Sequence, residues 1–140
     1  MITYLSLGSN LPPRETYIDA ACRHIEERVG PILLRSSDYY SEPWGFTSPN
    51  PFLNIALKVE TELQPQELLH ATQQIERELG REKKPHYADR TIDIDILLYL
   101  TQNGHSVQMQ TIELTLPHPL MQQRDFVMIP LLEIIPLSNI

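Results

Sequence analysis

Apolar and polar positions alternate over residues 2–8, Ile-Thr-Tyr-Leu-Ser-Leu-Gly, and predict a strand that ends at Gly8-Ser9-Asn10. Pro12-Pro13 suit the first turn of a helix, on which Ile18, Ala21, Cys22, Ile25 and Val29 recur at helical spacing as one buried stripe. Gly30-Pro31 stops that helix. Residues 32–40 predict a second strand, and residues 42–51 a long loop stiffened by Pro43, Pro49 and Pro51. In a third strand over 52–62, Leu53, Ile55, Leu57 and Val59 form the core face, while Phe52, Asn54, Ala56 and Lys58 point the other way. Pro65 opens a second helix carrying Leu68, Thr72, Ile75 and Leu79, and Gly80 closes it. Residues 90–100 form the fourth strand; its first half alternates, and its uninterrupted apolar end reads as buried on both faces. Beyond a turn at Asn103-Gly104, residues 111–116 predict a further strand, stopped by Pro117-His118-Pro119. The apolar tail over 126–135 reads as a short helix and a packed segment, broken by Pro130 and Pro136.

Strand, helix, strand, strand, helix, strand is the split βαβ order. It predicts an α+β, ferredoxin-like βαββαβ sandwich with an appended strand and a C-terminal helical segment. In that arrangement the helices cover one face of the sheet and the other face holds ligands. At 140 residues, with no repeat, linker or low-complexity tract, the chain reads as a single domain over 1–140.

Composition narrows the partners. The formal net charge of −7 argues against a nucleic acid held by its backbone. No apolar run reaches membrane-spanning length, and the first residues lack the basic start of a signal peptide, so the expected location is cytoplasmic. Cys22 is the single cysteine and sits on the core stripe of a helix, where packing is its expected role. One cysteine and scattered histidines do not make a zinc site. His24, His70 and His105 read as helix-surface or turn residues, and His86 is ambiguous.

Chemistry concentrates in the fourth strand. Asp93 and Asp95 share one strand face while Ile92, Ile94 and Ile96 take the other. Two carboxylates about 7 Å apart beside an apolar run repel each other, and a divalent cation such as Mg²⁺ removes that cost. An edge strand with both carboxylates in water is the plainer alternative. Four of the eleven cationic residues, Arg81, Lys83, Lys84 and Arg90, lie just ahead of the pair. After Arg90 only Arg124 remains. Cations beside a metal-binding pair suggest a nucleotide phosphate chain bridged by Mg²⁺, although a solvated charged loop would read the same way. There is no glycine-rich Walker motif, so a nucleotide would be bound by other means.

The segment Arg-Thr-Ile-Asp-Ile-Asp-Ile-Leu-Leu over 90–98 resembles the signature of the 6-hydroxymethyl-7,8-dihydropterin pyrophosphokinase family. So do Leu7-Gly8-Ser9-Asn10, Tyr40 with Pro43, Phe52-Leu53-Asn54, Gln73 with Glu76, Gly80-Arg81, Leu116-Pro117-His118-Pro119 and Arg124-Asp125-Phe126. The resemblance implies an ATP-dependent diphosphokinase of folate biosynthesis that converts ATP and the hydroxymethyl-dihydropterin to AMP and the dihydropterin diphosphate. The chain is expected to be a monomer with no nucleic-acid or membrane partner. It also implies two Mg²⁺ ions on Asp93 and Asp95, with Arg81 and Arg90 assisting catalysis. The pterin would lie between Phe52 and Phe126 with Asn54 at its amide edge, completed by Pro43, Trp44 and Gly45. ATP would meet Gln73, Glu76, Arg81, Lys83, Lys84, Arg90, Ile96, His118 and Arg124, with residues 81–90 closing as a lid. For either phenylalanine, core packing is the plainer reading, and for His118 a surface turn.

Lys83 and Tyr87 depart from a frequent arginine and tryptophan of that family, Glu113 from a basic residue, and Pro119 from an aromatic. A ferredoxin-like module that binds a small ligand for regulation, without turnover, is the alternative.

Overall fold

The computed structural model describes residues 1–43, 46, 48–80 and 89–139. In chain order the elements are β1 (Ile2–Ser9), α1 (Arg14–Arg28), β2 (Ile32–Arg35), β3 (Tyr39–Ser41), β4 (Phe52–Glu60), α2 (Pro65–Glu78), β5 (Asp93–Leu100), β6 (Met109–Gln110), β7 (Thr115–Leu116) and α3 (Asp125–Leu132). Five strands form one antiparallel sheet in the order β2, β4, β1, β5, with β3 also paired to β4. Among the described residues the architecture is a mixed α and β fold, with this antiparallel sheet, a two-stranded sheet of β6 and β7, and three α-helices.

One face of the sheet is closed by α1 and α2. Leu5, Leu7, Leu53, Ile55, Leu57, Val59, Ile94 and Ile96 pack there against Ile18 and Ile25 of α1 and Leu68 and Ile75 of α2. Fully burying one such side chain contributes about 1.5–3 kcal/mol. α2 starts with Pro65 at its first turn, as its sequence predicts, and the structure adds a capping box of Gln64 and Glu67. Gly30 ends the turn after α1 at a φ of +150°, and a Cβ there would lie 1.9 Å from the Glu60 carbonyl oxygen. Cys22 packs against this core partly buried, and burial pushes its thiol pKa up.

The opposite face is closed over part of its area by α3. Tyr4, Ala56, Leu98 and Leu100 meet Met121, Val127, Leu131 and Ile134. The apolar end of β5 reaches both faces through a bulge. Tyr4 pairs with Leu98 but Leu5 with Ile96, so Leu97 is the extra residue and the alternation changes phase there.

Three expectations from the sequence are corrected. The strand over 32–40 divides into β2 and β3, because Ser36 exchanges both its N–H and its Oγ with the Ala56 backbone (2.9 and 2.8 Å). Of the strand over 111–116 only Thr115–Leu116 is strand; residues 111–114 form the turn from β6, closed by Thr111 Oγ1 accepting from the Leu114 N–H at 3.0 Å. Ile112 is consequently exposed at the turn despite its apolar side chain. Pro130 lies inside α3 rather than ending it. The carbonyl it leaves without an intrahelical donor belongs to the first turn of this eight-residue helix.

Candidate active site

The part of the second face that α3 leaves uncovered carries the polar residues of the three longest strands. Gly8 pairs with Asn54 on one side and Asp93 on the other, and Ser6 with Ala56 and Asp95. Two cross-strand rows therefore place the amide and both carboxylates on one floor. Above that floor is a cleft of about 420 Å³, walled by Leu69, Gln73 and Glu76 of α2, by Glu42 and Phe46, and by residues 118–120, Arg124 and Phe126.

At one end of the cleft Asn54 and Phe52 are each held by neighbouring protein groups. The Asn54 amide nitrogen donates to the Tyr39 carbonyl at 3.0 Å and to Ser41 Oγ at 2.9 Å. Those two acceptors fix which end of the amide is nitrogen and aim Oδ1 toward Gly8, 3.2 Å from where a Cβ would stand. The Phe52 ring is held edge-to-face by Phe46, with centroids 6.3 Å apart and planes at 87°.

At the other end Arg124 approaches one of the carboxylates, and Arg90 lines the same cleft. Arg124 Nη1 lies 3.9 Å from Asp95 Oδ2, and its guanidinium sits 5.6 Å above the Phe126 ring. Arg90 is 6% exposed, and its backbone is fixed by Asn10. The Arg90 N–H donates to Asn10 Oδ1 at 2.7 Å, and the Asn10 N–H donates to the Arg90 carbonyl at 3.1 Å. Asn10 Nδ2 also donates to Asp89 Oδ1 at 2.6 Å and to the Asn50 carbonyl at 3.2 Å. The buried Asn10 thus joins the end of β1 to the approaches of two loops.

Glu76, 4% exposed, accepts from the Ile94 N–H at 2.8 Å and so is locked against β5. His118 donates its backbone N–H to the Leu97 carbonyl at 2.9 Å, and its Nδ1 accepts from the Leu120 N–H at 3.2 Å. Burial pushes its pKa down, Arg124 lowers it further, and Asp93 opposes both. The neutral ring therefore carries its proton on Nε2, as a donor.

Ten residues singled out from the sequence line this one cleft: Phe52, Asn54, Gln73, Glu76, Arg90, Asp93, Asp95, His118, Arg124 and Phe126. Ile96 does not. It packs on the helix side of the sheet at 4% exposure, within the apolar cluster against α1 and α2. Ile94 and Leu69 supply apolar wall instead. Pro43 is half-buried and outside the cleft lining. Trp44, Gly45, Arg81, Lys83 and Lys84 lie outside the described residues, and with them most of the expected lid. Sequence reasoning missed Asn10, which reads as an ordinary turn residue, and Phe46, an aromatic in a proline-rich loop. Glu113 sits at the turn between β6 and β7 and accepts from Gln66 Nε2 of α2 at 3.0 Å.

Residues 4–136 match the 7,8-dihydro-6-hydroxymethylpterin-pyrophosphokinase (HPPK) family. The chain belongs to the HPPK family. It is 53% identical over 140 residues to the 2-amino-4-hydroxy-6-hydroxymethyldihydropteridine pyrophosphokinase of Porphyromonas gingivalis, covering 96% of this chain and 91% of that one. The Bacillus subtilis protein of the same name is 42% identical over 134 residues, covering 95% and 77%. Among solved structures, an HPPK-DHPS protein in complex with substrates superposes with a TM-score of 0.72 at 16% identity, over 99% of this chain and 41% of that one. A Plasmodium falciparum HPPK-DHPS gives 0.69 at 16%, over 96% and 39%. At those identities the likeness is one of fold, and the chain spans about two fifths of the length of these HPPK-DHPS chains. Among the described residues no helix is long and apolar enough to cross a membrane.

Proposed function

We propose that this cleft transfers a pyrophosphoryl group from Mg²⁺-ATP to the hydroxymethyl oxygen of 6-hydroxymethyl-7,8-dihydropterin. The new bond joins that oxygen to the β-phosphorus, and the bond from the β-phosphorus to the α–β bridging oxygen breaks. AMP leaves with the bridging oxygen, the hydroxyl proton is released, and the dihydropterin diphosphate remains. The observation that carries this reading is the single row Asn54, Gly8 and Asp93 across adjacent strands, which supports it by aligning an amide and a carboxylate on one floor.

In this reading Phe52 and Phe126 stack the pterin and the Asn54 Oδ1 accepts from an N–H of its amide edge. Arg90, Arg124 and His118 Nε2 donate to phosphate oxygens, whose charge shifts toward the leaving AMP in the transition state. Gln73 and Glu76 position the nucleotide from α2. Arg81, Lys83 and Lys84 belong to the ATP side, with Pro43, Trp44 and Gly45 on the pterin side.

Asp93 and Asp95 suit Mg²⁺. Among the described residues no group of three or more acidic, histidine or cysteine side chains forms a metal cage. A pair of carboxylates completed by phosphate oxygens and water is how Mg²⁺ is ordinarily held at nucleotide sites. When bound, two such ions would neutralise the triphosphate and acidify the hydroxyl.

The strand order supports a ferredoxin-like reading of the fold, with residues 1–140 working as one pyrophosphokinase domain. The test is the product: AMP, rather than ADP, formed from Mg²⁺-ATP only when the hydroxymethyl-dihydropterin is present. Binding of both ligands without AMP would favour the regulatory module instead.

A further inference from the structure

Gly8 lies inside β1, where a glycine is destabilising relative to alanine because it has more backbone freedom to lose on folding. Its backbone does not require it. Gly30, Gly80 and Gly104 have positive φ, whereas Gly8 is in extended strand conformation that any residue adopts. Space is the remaining reason, since strand glycines mark places where another group approaches closely. A Cβ at Gly8 would stand 3.2 Å from Asn54 Oδ1 and 3.4 Å from Phe52 Cδ1. Neither neighbour gives way freely. The Asn54 amide is held by Tyr39 and Ser41, and the Phe52 ring rests on Phe46.

We propose that Gly8 is a specificity-determining position for the pterin. By leaving the middle of the row bare, it lets a flat heterocycle cross β1 with its amide edge at Asn54 and its hydroxymethyl arm at Asp93. Strands lie about 4.8 Å apart, so the row from Asn54 to Asp93 spans ~10 Å. A two-ring heterocycle bearing a one-carbon arm fits that span. A methyl group at residue 8 raises the floor under the ligand and displaces Asn54 Oδ1 by a few tenths of an ångström. That is too little to unfold the sheet and enough to misplace an acceptor. The ATP end lies beyond Asp93, away from the step. This inference rests on the proposed pterin site.

The experiment uses the full chain and Gly8→Ala, with Asn54→Ala as an independent probe of the pterin site. Calorimetry measures the hydroxymethyl-dihydropterin in the presence of a non-hydrolysable Mg²⁺-ATP analogue, and the analogue alone; steady-state kinetics and thermal unfolding accompany it. Gly8→Ala is expected to weaken pterin binding about 10–100-fold, the scale of one misplaced methyl group in a fitted pocket. The KM for pterin should rise with kcat at saturation largely kept, while analogue affinity and melting temperature stay near those of the parent. If Asn54→Ala loses pterin binding and Gly8→Ala does not, the role of Gly8 is overturned and the pterin site stands. If neither variant loses it, the pterin site itself is wrong. Equal weakening of both ligands, or a Gly8→Ala protein that melts far below the parent or fails to fold, would make the glycine a packing requirement and overturn the proposal.

Discussion

The same three strands carry two unlike faces. Leu5, Leu7, Leu53, Ile55, Ile94 and Ile96 face α1 and α2, and each of them is at most 6% exposed. One residue along, Ser6, Gly8, Asn54, Asp93 and Asp95 face the cleft. The first face is stabilised by area, so volume and shape are what matter there. The second face sacrifices area: α3 closes part of it and the remainder holds carboxylates, an amide and a bare glycine. Stability and chemistry are therefore separated by the period of a strand, not by distance along the chain. Substitutions at adjacent positions should report on different quantities.

The largest effect should fall on the cleft face. Asp93→Asn or Asp95→Asn should lower kcat at least ~10³-fold, corresponding to the several kcal/mol that a bound metal supplies to phosphoryl transfer. Melting temperature should stay within a few degrees of the parent, since neither side chain belongs to an apolar cluster. A variant retaining near-normal activity would remove the metal pair from the site. One that unfolded would erase the distinction between the faces.

The mirror-image change is Leu7→Ala, next to Gly8 but on the helix side. It should destabilise by about 2–5 kcal/mol, the range for emptying a buried leucine position. Its kcat at low temperature should remain near that of the parent. Urea unfolding together with initial rates separates the two quantities. A loss of kcat larger than the loss of folded protein would mean that the helix-side core sets cleft geometry.

Much of this division was legible in the sequence. The parity of β4 separated Leu53, Ile55, Leu57 and Val59 from Phe52 and Asn54, and the parity of 92–96 separated the isoleucines from the aspartates. Parity alone does not decide which residue meets the cleft: Ile94 and Ile96 share a strand face, yet Ile94 lines the cleft and Ile96 does not. What stayed hidden was set by tertiary contacts. The bulge at Leu97 lies in an apolar run with no alternation to mark its change of phase. The break between β2 and β3 depends on Ser36 reaching the Ala56 backbone, a partner twenty residues away. Asn10 gained its role only when folding brought Asn50 and Asp89 to it.

A smaller effect sharpens the ring end. Phe126→Ala should weaken pterin binding by roughly 1–3 kcal/mol, the value of one stacking face, with ATP affinity little changed. Arg124 rests on the same ring, so calorimetry with each ligand separately is the informative measurement. Equal losses for both ligands would show that Phe126 chiefly seats Arg124 and would leave Phe52 as the single stacking surface.

The smallest expected effect concerns how α3 is held over its part of the second face. The exposed Glu133 follows α3, and its Oε1 accepts from Ser37 Oγ at 2.7 Å and from the Ser37 N–H at 3.1 Å, tying the helix end to the turn between β2 and β3. The serine hydroxyl first, and then the backbone N–H, hold the Glu133 carboxyl below the usual carboxylate range, against a smaller opposing effect of burial. A depressed carboxyl pKa means that the unfolded chain takes up a proton first as pH falls. The resulting stabilisation is present above the ordinary carboxylate value of about 4.3 and is lost as pH drops through the lower folded value. Ser37→Ala removes the stronger of the two contacts. It should therefore make stability less dependent on pH below about 4.3, with melting at neutral pH only slightly lowered and activity unchanged. Thermal melts of parent and variant between neutral and acid pH read this directly. Parallel curves would show that the tie contributes nothing and that the apolar cluster of Val127, Leu131 and Ile134 alone fixes α3. A variant that lost activity at neutral pH would instead mean that the position of α3 reaches the cleft through Phe126, at its first turn.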